Sequence, residues 1–333
     1  MSEEHLPNIP IFLSDAQNLD QETLSNKFYK ICQAEMERSR SNHYNDLSSP
    51  FSTKTAMSKT SMKFNRYSDI IPFDCNRIKL HSKRSGNNTD YINASFIEAP
   101  QKLRKYIATQ GPLENTFEDF WCMVWEQRSY VIVMLTKEHE KGTLKCSKYW
   151  PDLHGNPMIF QELGLKIEME SEELEPSSSS LIRTFRLEKF NSQGNSISAS
   201  QGGVSQLGDN IEIRRVTQLH FVGWPDHGVP DSPEIILNLI KKTNEFQLKY
   251  QNEILNEEIG PPVIHCSAGC GRTGTFCTID SCLVMLPLPN DDGTDLIEYL
   301  VNYFREQRRT MVQTLGQFQY CYLAVLSKLV INK

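Results

Sequence analysis

Long apolar runs are missing from this 333-residue chain. Runs such as residues 131–135 fall far short of the roughly 18–20 residues that cross a bilayer, so membrane anchorage has no support. The amino-terminal residues lack an apolar secretory stretch, and the nine cysteines, scattered from Cys32 to Cys321, lack paired spacing. Such a set implies reduced thiols in the cytoplasm, and nothing in the sequence bars the nucleus. An excess of positive charge is missing too. Lysine and arginine total 35 against 41 acidic residues, a net charge of −6, which argues against nucleic-acid or anionic-membrane binding by the whole molecule. There is no internal repeat. What is present, 39% hydrophobic, 23% charged and 10% aromatic residues, suits a folded chain large enough to bury a core without disulfides.

Residues 1–61 divide into a polar leader, an accessory helix over residues 21–38 and a Ser/Thr-rich connector over residues 39–61. Leu24, Phe28, Ile31, Cys32 and Met36 recur at helical spacing, which predicts one face docked on a larger body. Residues 62–333 read as one α/β domain of about 270 residues. Strand-like runs at 91–97 and 106–109 precede a helix at 115–127 that buries Phe117, Phe120, Trp121, Val124 and Trp125. The β-rich run at 130–135 suits the middle of a sheet. Five glutamates between Glu168 and Glu175, then Pro176 and four serines, predict an exposed loop, because that composition buries too little apolar surface to order itself. A Ser/Gly/Gln-rich stretch at 191–208 sits between strand-like runs at 181–190 and 211–222, as a long hairpin tip would. Helical periodicity returns at 233–250, 272–286, 295–309 and 315–329.

The chemistry concentrates after residue 261. A short apolar strand over 262–266 runs into Ser267-Ala268-Gly269-Cys270-Gly271-Arg272-Thr273-Gly274, and a helix follows. A strand, a glycine-containing loop and a helix amino terminus together aim backbone N–H groups at one point, an anion site that fits phosphate. Cys266 at one end of the loop and Arg272 at the other would face it, the guanidinium gripping two phosphate oxygens. A thiol of pKa roughly 8.5 becomes a usable thiolate if lowered by about three units, or roughly 4 kcal/mol, within reach of loop amides, helix dipole and arginine. Other readings exist: Cys266 as a small buried hydrophobe, or His265, Cys266 and Cys270 as part of a zinc site. The arginine six positions on favours the nucleophile, and no second ligand pair stands at zinc-site spacing. No cofactor and no metal are expected. Cys270, Cys277, Cys282 and Cys321 read as core residues, and His265 as a hydrogen-bonding neighbour of the loop.

The decapeptide from His265 to Gly274 resembles the signature loop of the protein-tyrosine phosphatase family in its intracellular, non-receptor, single-domain form. Further blocks stand in the family's order: Asn65-Arg66-Tyr67, Asp90-Tyr91-Ile92-Asn93-Ala94, Thr109-Gln110-Gly111-Pro112, Lys145-Cys146-Ser147-Lys148-Tyr149-Trp150-Pro151, Trp224-Pro225-Asp226-His227-Gly228 and Gln313-Thr314-Leu315-Gly316-Gln317. The resemblance implies a twisted, mixed central sheet flanked by helices on both sides, and hydrolysis of phosphotyrosine in proteins through a cysteinyl-phosphate. It assigns Cys266 as nucleophile, and Ser267, Ala268, Gly269, Cys270, Gly271 and Arg272 as the phosphate cradle. Asp226 becomes the general acid and then base, Gln313 the group that positions the hydrolytic water with Gln317 as companion, and Thr273 the hydroxyl that stabilises the leaving thiolate. Tyr67 resembles the aromatic wall of the pocket, Asp69 the group that binds the substrate's backbone amides, Lys145 a lysine near the acid loop, and Glu140 the partner of the loop arginine.

Phosphotyrosine proteins are the expected partners, a tyrosine-phosphorylated kinase among them by family analogy, and a monomer is expected. Two departures stand out. His227 replaces a frequent phenylalanine, and Cys270, where valine or isoleucine is commoner, resembles soluble fungal members and lies four residues from the nucleophile. Lys63, Arg66, Arg77, Lys79, Lys83, Arg84, Lys102, Arg104 and Lys105 predict a basic substrate rim that would steer acidic phosphopeptides.

Overall fold

The computed structural model describes residues 10, 12–13, 21–40, 46, 48–82, 84–85, 89–190, 212–225, 228–254, 257–288 and 293–331. Among these, nine strands share one sheet in the order β1 (Arg77–Lys79), β2 (Tyr91–Glu98), β3 (Lys105–Thr109), β11 (Val263–His265), β4 (Val131–Met134), β10 (Glu212–Phe221), β9 (Ser180–Lys189), β8 (Leu165–Glu175) and β7 (Met158–Phe160). A separate hairpin joins β5 (His139–Glu140) to β6 (Thr143–Leu144). The four middle strands, β3, β11, β4 and β10, run parallel, and antiparallel strands flank them.

Side-chain alternation along the middle strands fills two cores. In the β4 region Val131, Val133 and Leu135 enter one, while Ile132 and Met134 enter the other, as the two-residue period of a strand requires. The first face is covered by α3 (Pro233–Glu253), α4 (Gly271–Met285), α5 (Leu296–Arg305), α6 (Leu315–Ile331) and the accessory helix α1 (Gln21–Arg40). The second face holds α2 (Phe117–Glu126), through Phe120, Trp121 and Val124. Covering both faces explains why β4, and Val263 and Ile264 of β11, are apolar rather than alternating with polar residues. The mixed sheet with helices on both sides is the architecture expected from the sequence. Among the described residues no helix is long and apolar enough to cross a membrane.

Several local expectations need correction. The glutamate-rich stretch is not a loop but the eleven-residue strand β8. Two of its acids lie opposite bases of the neighbouring strand, Glu172 facing Arg183 and Glu168 facing Arg186 in the register, and its own Lys166 faces Glu188. Cross-strand pairs of this kind contribute roughly 0.2–1 kcal/mol each, and composition within one segment cannot reveal partners that lie in another. Leu165 and Ile167 anchor the strand in the core, and the hairpin closes through a short turn at Pro176–Ser178. The β9–β10 pairing of Lys189 with Glu212 fits a hairpin, but its expected tip at 191–208 lies outside the described residues. On α1, Leu24 and Ile31 are buried as expected, whereas Met36 is exposed and Glu35 instead faces the body. Helix α5 stops at Arg305 rather than 309, and Thr310 and Val312 beyond it adopt positive φ of 60° and 59°.

Candidate active site

Strand β11 ends at His265 and α4 begins at Gly271, so the strand, loop and helix order read from the sequence is what forms. Gly269 has φ +73°, and a Cβ there would lie 2.1 Å from the Thr109 carbonyl oxygen, so only glycine fits. Cys266 sits at the base of a cleft of about 500 Å³ whose walls include Tyr67, Arg272 and Gln313. Its sulfur accepts a hydrogen bond from the Gly269 N–H at 3.3 Å. Burial alone would raise the thiol pKa. The Thr273 hydroxyl, the Arg272 guanidinium, and the N–H groups of Thr273 and Gly269 outweigh it and hold the thiol below its ordinary value. Thr273 is fully buried, and among the described residues its hydroxyl has no competing hydrogen-bond partner. The neighbouring loop thiol behaves oppositely: burial pushes Cys270 up to about 12.

Arg272 is set by Glu140, as the sequence resemblance proposes. Nη1 donates to Oε1 at 2.5 Å and Nη2 to Oε2 at 2.8 Å, the planar fork-to-fork pairing open to arginine. Nη1 also donates to the Leu135 carbonyl at 3.1 Å, and Nη2 to that of Pro225 at 3.4 Å. Among the described residues, these partners leave Nε–H and the weakly engaged second hydrogen of Nη2 for a ligand. Burial opposes ionisation of Glu140, but Arg272 and Thr136 hold its carboxyl below the ordinary range.

The loop is braced from behind by a residue that the sequence reading missed. Arg308, fully buried, donates from Nε to the Gly269 carbonyl (2.7 Å) and from Nη2 to that of Ala268 (3.0 Å) and to Asn93 Oδ1 (2.8 Å). In a planar trans peptide the N–H points away from the C=O. Pulling these carbonyls towards Arg308 therefore turns the following N–H groups of the loop the other way. Arg308 sits in a run of charged residues past a helix end, a pattern that reads as solvated surface.

The rim joins the quoted sequence blocks. The Tyr67 hydroxyl lies 2.9 Å from Ser267 Oγ, which donates to the Lys145 carbonyl at 2.8 Å; Tyr67 is therefore the donor in the first bond. Arg66 ties this block to the next, donating to Gln110 Oε1 from its backbone and to the Gly111 and Pro112 carbonyls from its side chain. Asp69, Lys145, Ala268 and Gly271 also line the cleft. Gln317 Oε1 accepts from the backbone N–H groups of Gln313 and Thr314 at 2.8 and 3.3 Å, so it fixes the backbone that carries Gln313. Asp226 and His227 lie outside the described residues. So does Lys83, one of the cations expected at the rim.

The basic rim itself does not form as expected. Arg77 and Arg84 are buried on Asp90 and Asp119, and Lys102, Arg104 and Lys105 line a separate groove beside Asp280. Arg66 spends its donors on carbonyls, and the lysines that line the cleft are Lys141 and Lys145.

His265 has both ring nitrogens engaged, with Tyr149 Oη at 2.8 Å and the Cys266 carbonyl at 3.1 Å. Gln218 donates to the same Tyr149 oxygen, so the tyrosine O–H is free to donate to Nε2. Burial pushes His265 down to about 4 and, with Arg183, His220 down to about 3. Both stay neutral in the fold while the unfolded chain takes up protons near pH 6.5. Stability should therefore fall as pH drops from about 6.5 towards 4, by about 3 kcal/mol per histidine at the end of that window. Urea midpoints between pH 7 and 5 should show this slope, and His265→Gln should flatten it. An unchanged slope in that variant would remove burial as the cause.

Comparison with known proteins gives the family. A family model described as protein-tyrosine phosphatase matches residues 61–327. The chain is 37% identical over 263 residues to Tyrosine-protein phosphatase non-receptor type 2 of Rattus norvegicus, covering 79% of this chain and 55% of that protein. It is 38% identical over 275 residues to the non-receptor type 12 enzyme of Homo sapiens (83% and 31%). With the non-receptor type 61F enzyme of Drosophila melanogaster it shares 34% identity over 276 residues (83% and 45%). The chain thus spans about half the length of the first of these and less of the other two.

Proposed function

Since the chain belongs to the protein-tyrosine phosphatase family, we propose that it hydrolyses phosphotyrosine in proteins through a cysteinyl-phosphate. The observation that carries this reading is a thiol held low at the base of a cleft, under an arginine whose pose a carboxylate fixes. The Cys266 thiolate attacks phosphorus, the bond from phosphorus to the aryl oxygen breaks, and Asp226 protonates the departing oxygen. Water oriented by Gln313 then attacks the phosphoenzyme and gives its proton to Asp226. The sulfur–phosphorus bond breaks, and Cys266 leaves as a thiolate stabilised by Thr273. Tyr67, tethered through Ser267 to the Lys145 carbonyl, sets a depth that a phosphotyrosine ring spans and a phosphoserine side chain does not. Asp69 at the rim binds the backbone of the substrate peptide, and Lys145 lines the same cleft as Pro225 and Gly228.

The protein works in the reducing cytoplasm, where its nine free thiols persist. Its partners are tyrosine-phosphorylated proteins, a kinase among them.

The test compares phosphotyrosyl and phosphothreonyl peptides on one preparation. Hydrolysis confined to phosphotyrosine supports the reading, while equal rates would point to a dual-specificity enzyme and binding without turnover to a recognition module. Asp226→Ala should lower kcat about a hundredfold or more and keep phosphopeptide affinity. The trapped complex, isolated with that variant, identifies the physiological substrate. Activity should be bell-shaped in pH, rising as Cys266 ionises and falling as Asp226 loses its proton.

A further inference from the structure

The segment that delivers Gln313 to the cleft is strained. Thr310 and Val312 hold φ of 60° and 59°, a region costly for a β-branched side chain and kept only where neighbours over-determine it. Those neighbours can be named. Arg305, buried to 1% exposure, donates from Nε to the Met311 carbonyl at 3.0 Å and from Nη2 to the Val312 carbonyl at 2.7 Å. The Val312 N–H donates to the Cys270 carbonyl at 3.3 Å, so this segment rests directly on the phosphate loop. Gly274 allows that approach, since a Cβ there would come within 2.3 Å of the Val312 nitrogen.

One carboxylate holds both ends of the arrangement, and it comes from the accessory helix. Glu35 Oε2 accepts from Arg305 Nη1 at 2.9 Å, and Glu35 Oε1 accepts from the Thr310 N–H at 2.7 Å. Its helix is also held by Lys27 on Asp295 at 2.7 Å and by Phe28, whose ring packs on Phe318 with centroids 5.5 Å apart and lies under the Arg305 guanidinium at 5.3 Å. Residue 35 lies outside the span matched by the family model, residues 61–327.

We propose that Glu35 is a positioning residue for the second half of the reaction, latching the strained 310–312 segment so that Gln313 is correctly placed for the attacking water. The proposal rests on the phosphatase reading above. Formation of the phosphoenzyme uses Cys266, Arg272 and Asp226 and does not need Gln313. In hydrolysis, water adds to phosphorus, its proton passes to Asp226 and the sulfur–phosphorus bond breaks; only this step depends on where Gln313 sits. Loss of the latch therefore slows one half of the cycle and spares the other.

The experiment measures wild type, Glu35→Ala, Glu35→Gln and Lys27→Ala with an aryl phosphate, by steady state and by rapid quench normalised to titrated active sites. In Glu35→Ala, kcat should fall about tenfold, since small misplacements of reacting groups cost one to two orders of magnitude. KM should fall by a similar factor, kcat/KM should stay within about twofold, and phosphoenzyme should accumulate as a burst. Glu35→Gln keeps an acceptor for Thr310 but loses the ion pair, so its effect should be intermediate. Lys27→Ala should lower the melting temperature without changing the burst. Equal loss of kcat and kcat/KM in Glu35→Ala, or no change in either, overturns the latch. A wild-type protein inactive on every aryl phosphate overturns the phosphatase reading itself.

Discussion

Cys266→Ser abolishes turnover, with kcat reduced about 10⁴-fold or more, because the nucleophile's whole contribution is lost while the cradle remains. The physical reason lies in what the loop can and cannot do. The Thr273 hydroxyl, Arg272 and the backbone N–H groups overcome burial and lower a thiol that begins only one or two units above neutrality. The same donors leave a serine hydroxyl, which starts several units higher, un-ionised at any pH the fold survives. Binding should be kept or improved, since the variant no longer sets a thiolate against a phosphate dianion. Calorimetry with a phosphotyrosyl peptide should show stoichiometric binding, and acid quench should show no phosphoenzyme. Retention of wild-type rates by a verified Cys266→Ser sample would remove the covalent mechanism and with it the proposed function.

How much of this was legible in the sequence depended on how far apart the cooperating residues lie along the chain. The phosphate loop is contiguous, so the strand, the glycines, Cys266 and Arg272 could be read from a decapeptide. The pairing of Glu140 with Arg272 bridges 132 positions, and only the family resemblance suggested it. Arg308 and Glu35 had no local signature. Arg308 reaches back 39 positions to Gly269, and Glu35 reaches forward 275 to Thr310, and both sit in stretches whose charge reads as solvated surface. The same limit explains the misread strand β8. Its glutamates look unfoldable until Arg183 and Arg186 are placed opposite them, since a strand's partners are set by pairing rather than by its own composition. The basic rim failed for the opposite reason. Cations clustered in sequence were dispersed by the fold, Arg77 and Arg84 into ion pairs with Asp90 and Asp119, and Lys102, Arg104 and Lys105 to a separate groove. Short apolar runs, which need no distant partner to be recognised, were read as strands at 130–135 and 262–266, where β4 and β11 form.

Arg272→Lys separates charge from geometry, and the expected result is a loss of about 10³-fold in kcat/KM. Lysine keeps the positive charge but offers three donors from one atom. The carboxylate of Glu140, now accepting from both Nη atoms of Arg272, would draw the ammonium to itself. The Leu135 carbonyl would lose its donor at 3.1 Å, and no planar edge would remain to hold two phosphate oxygens through the transition state. The thiol should report the other half of the contribution. Because Arg272 is one cause that lowers the Cys266 pKa, the midpoint of iodoacetate alkylation against pH should stay nearly in place in Arg272→Lys and move upward in Arg272→Met. Catalysis should collapse in both variants. A lysine variant that retained wild-type kcat/KM would mean that the guanidinium acts only as a point charge, and the fork made with Glu140 would then be a structural tie rather than the means by which the phosphoryl group is oriented for attack.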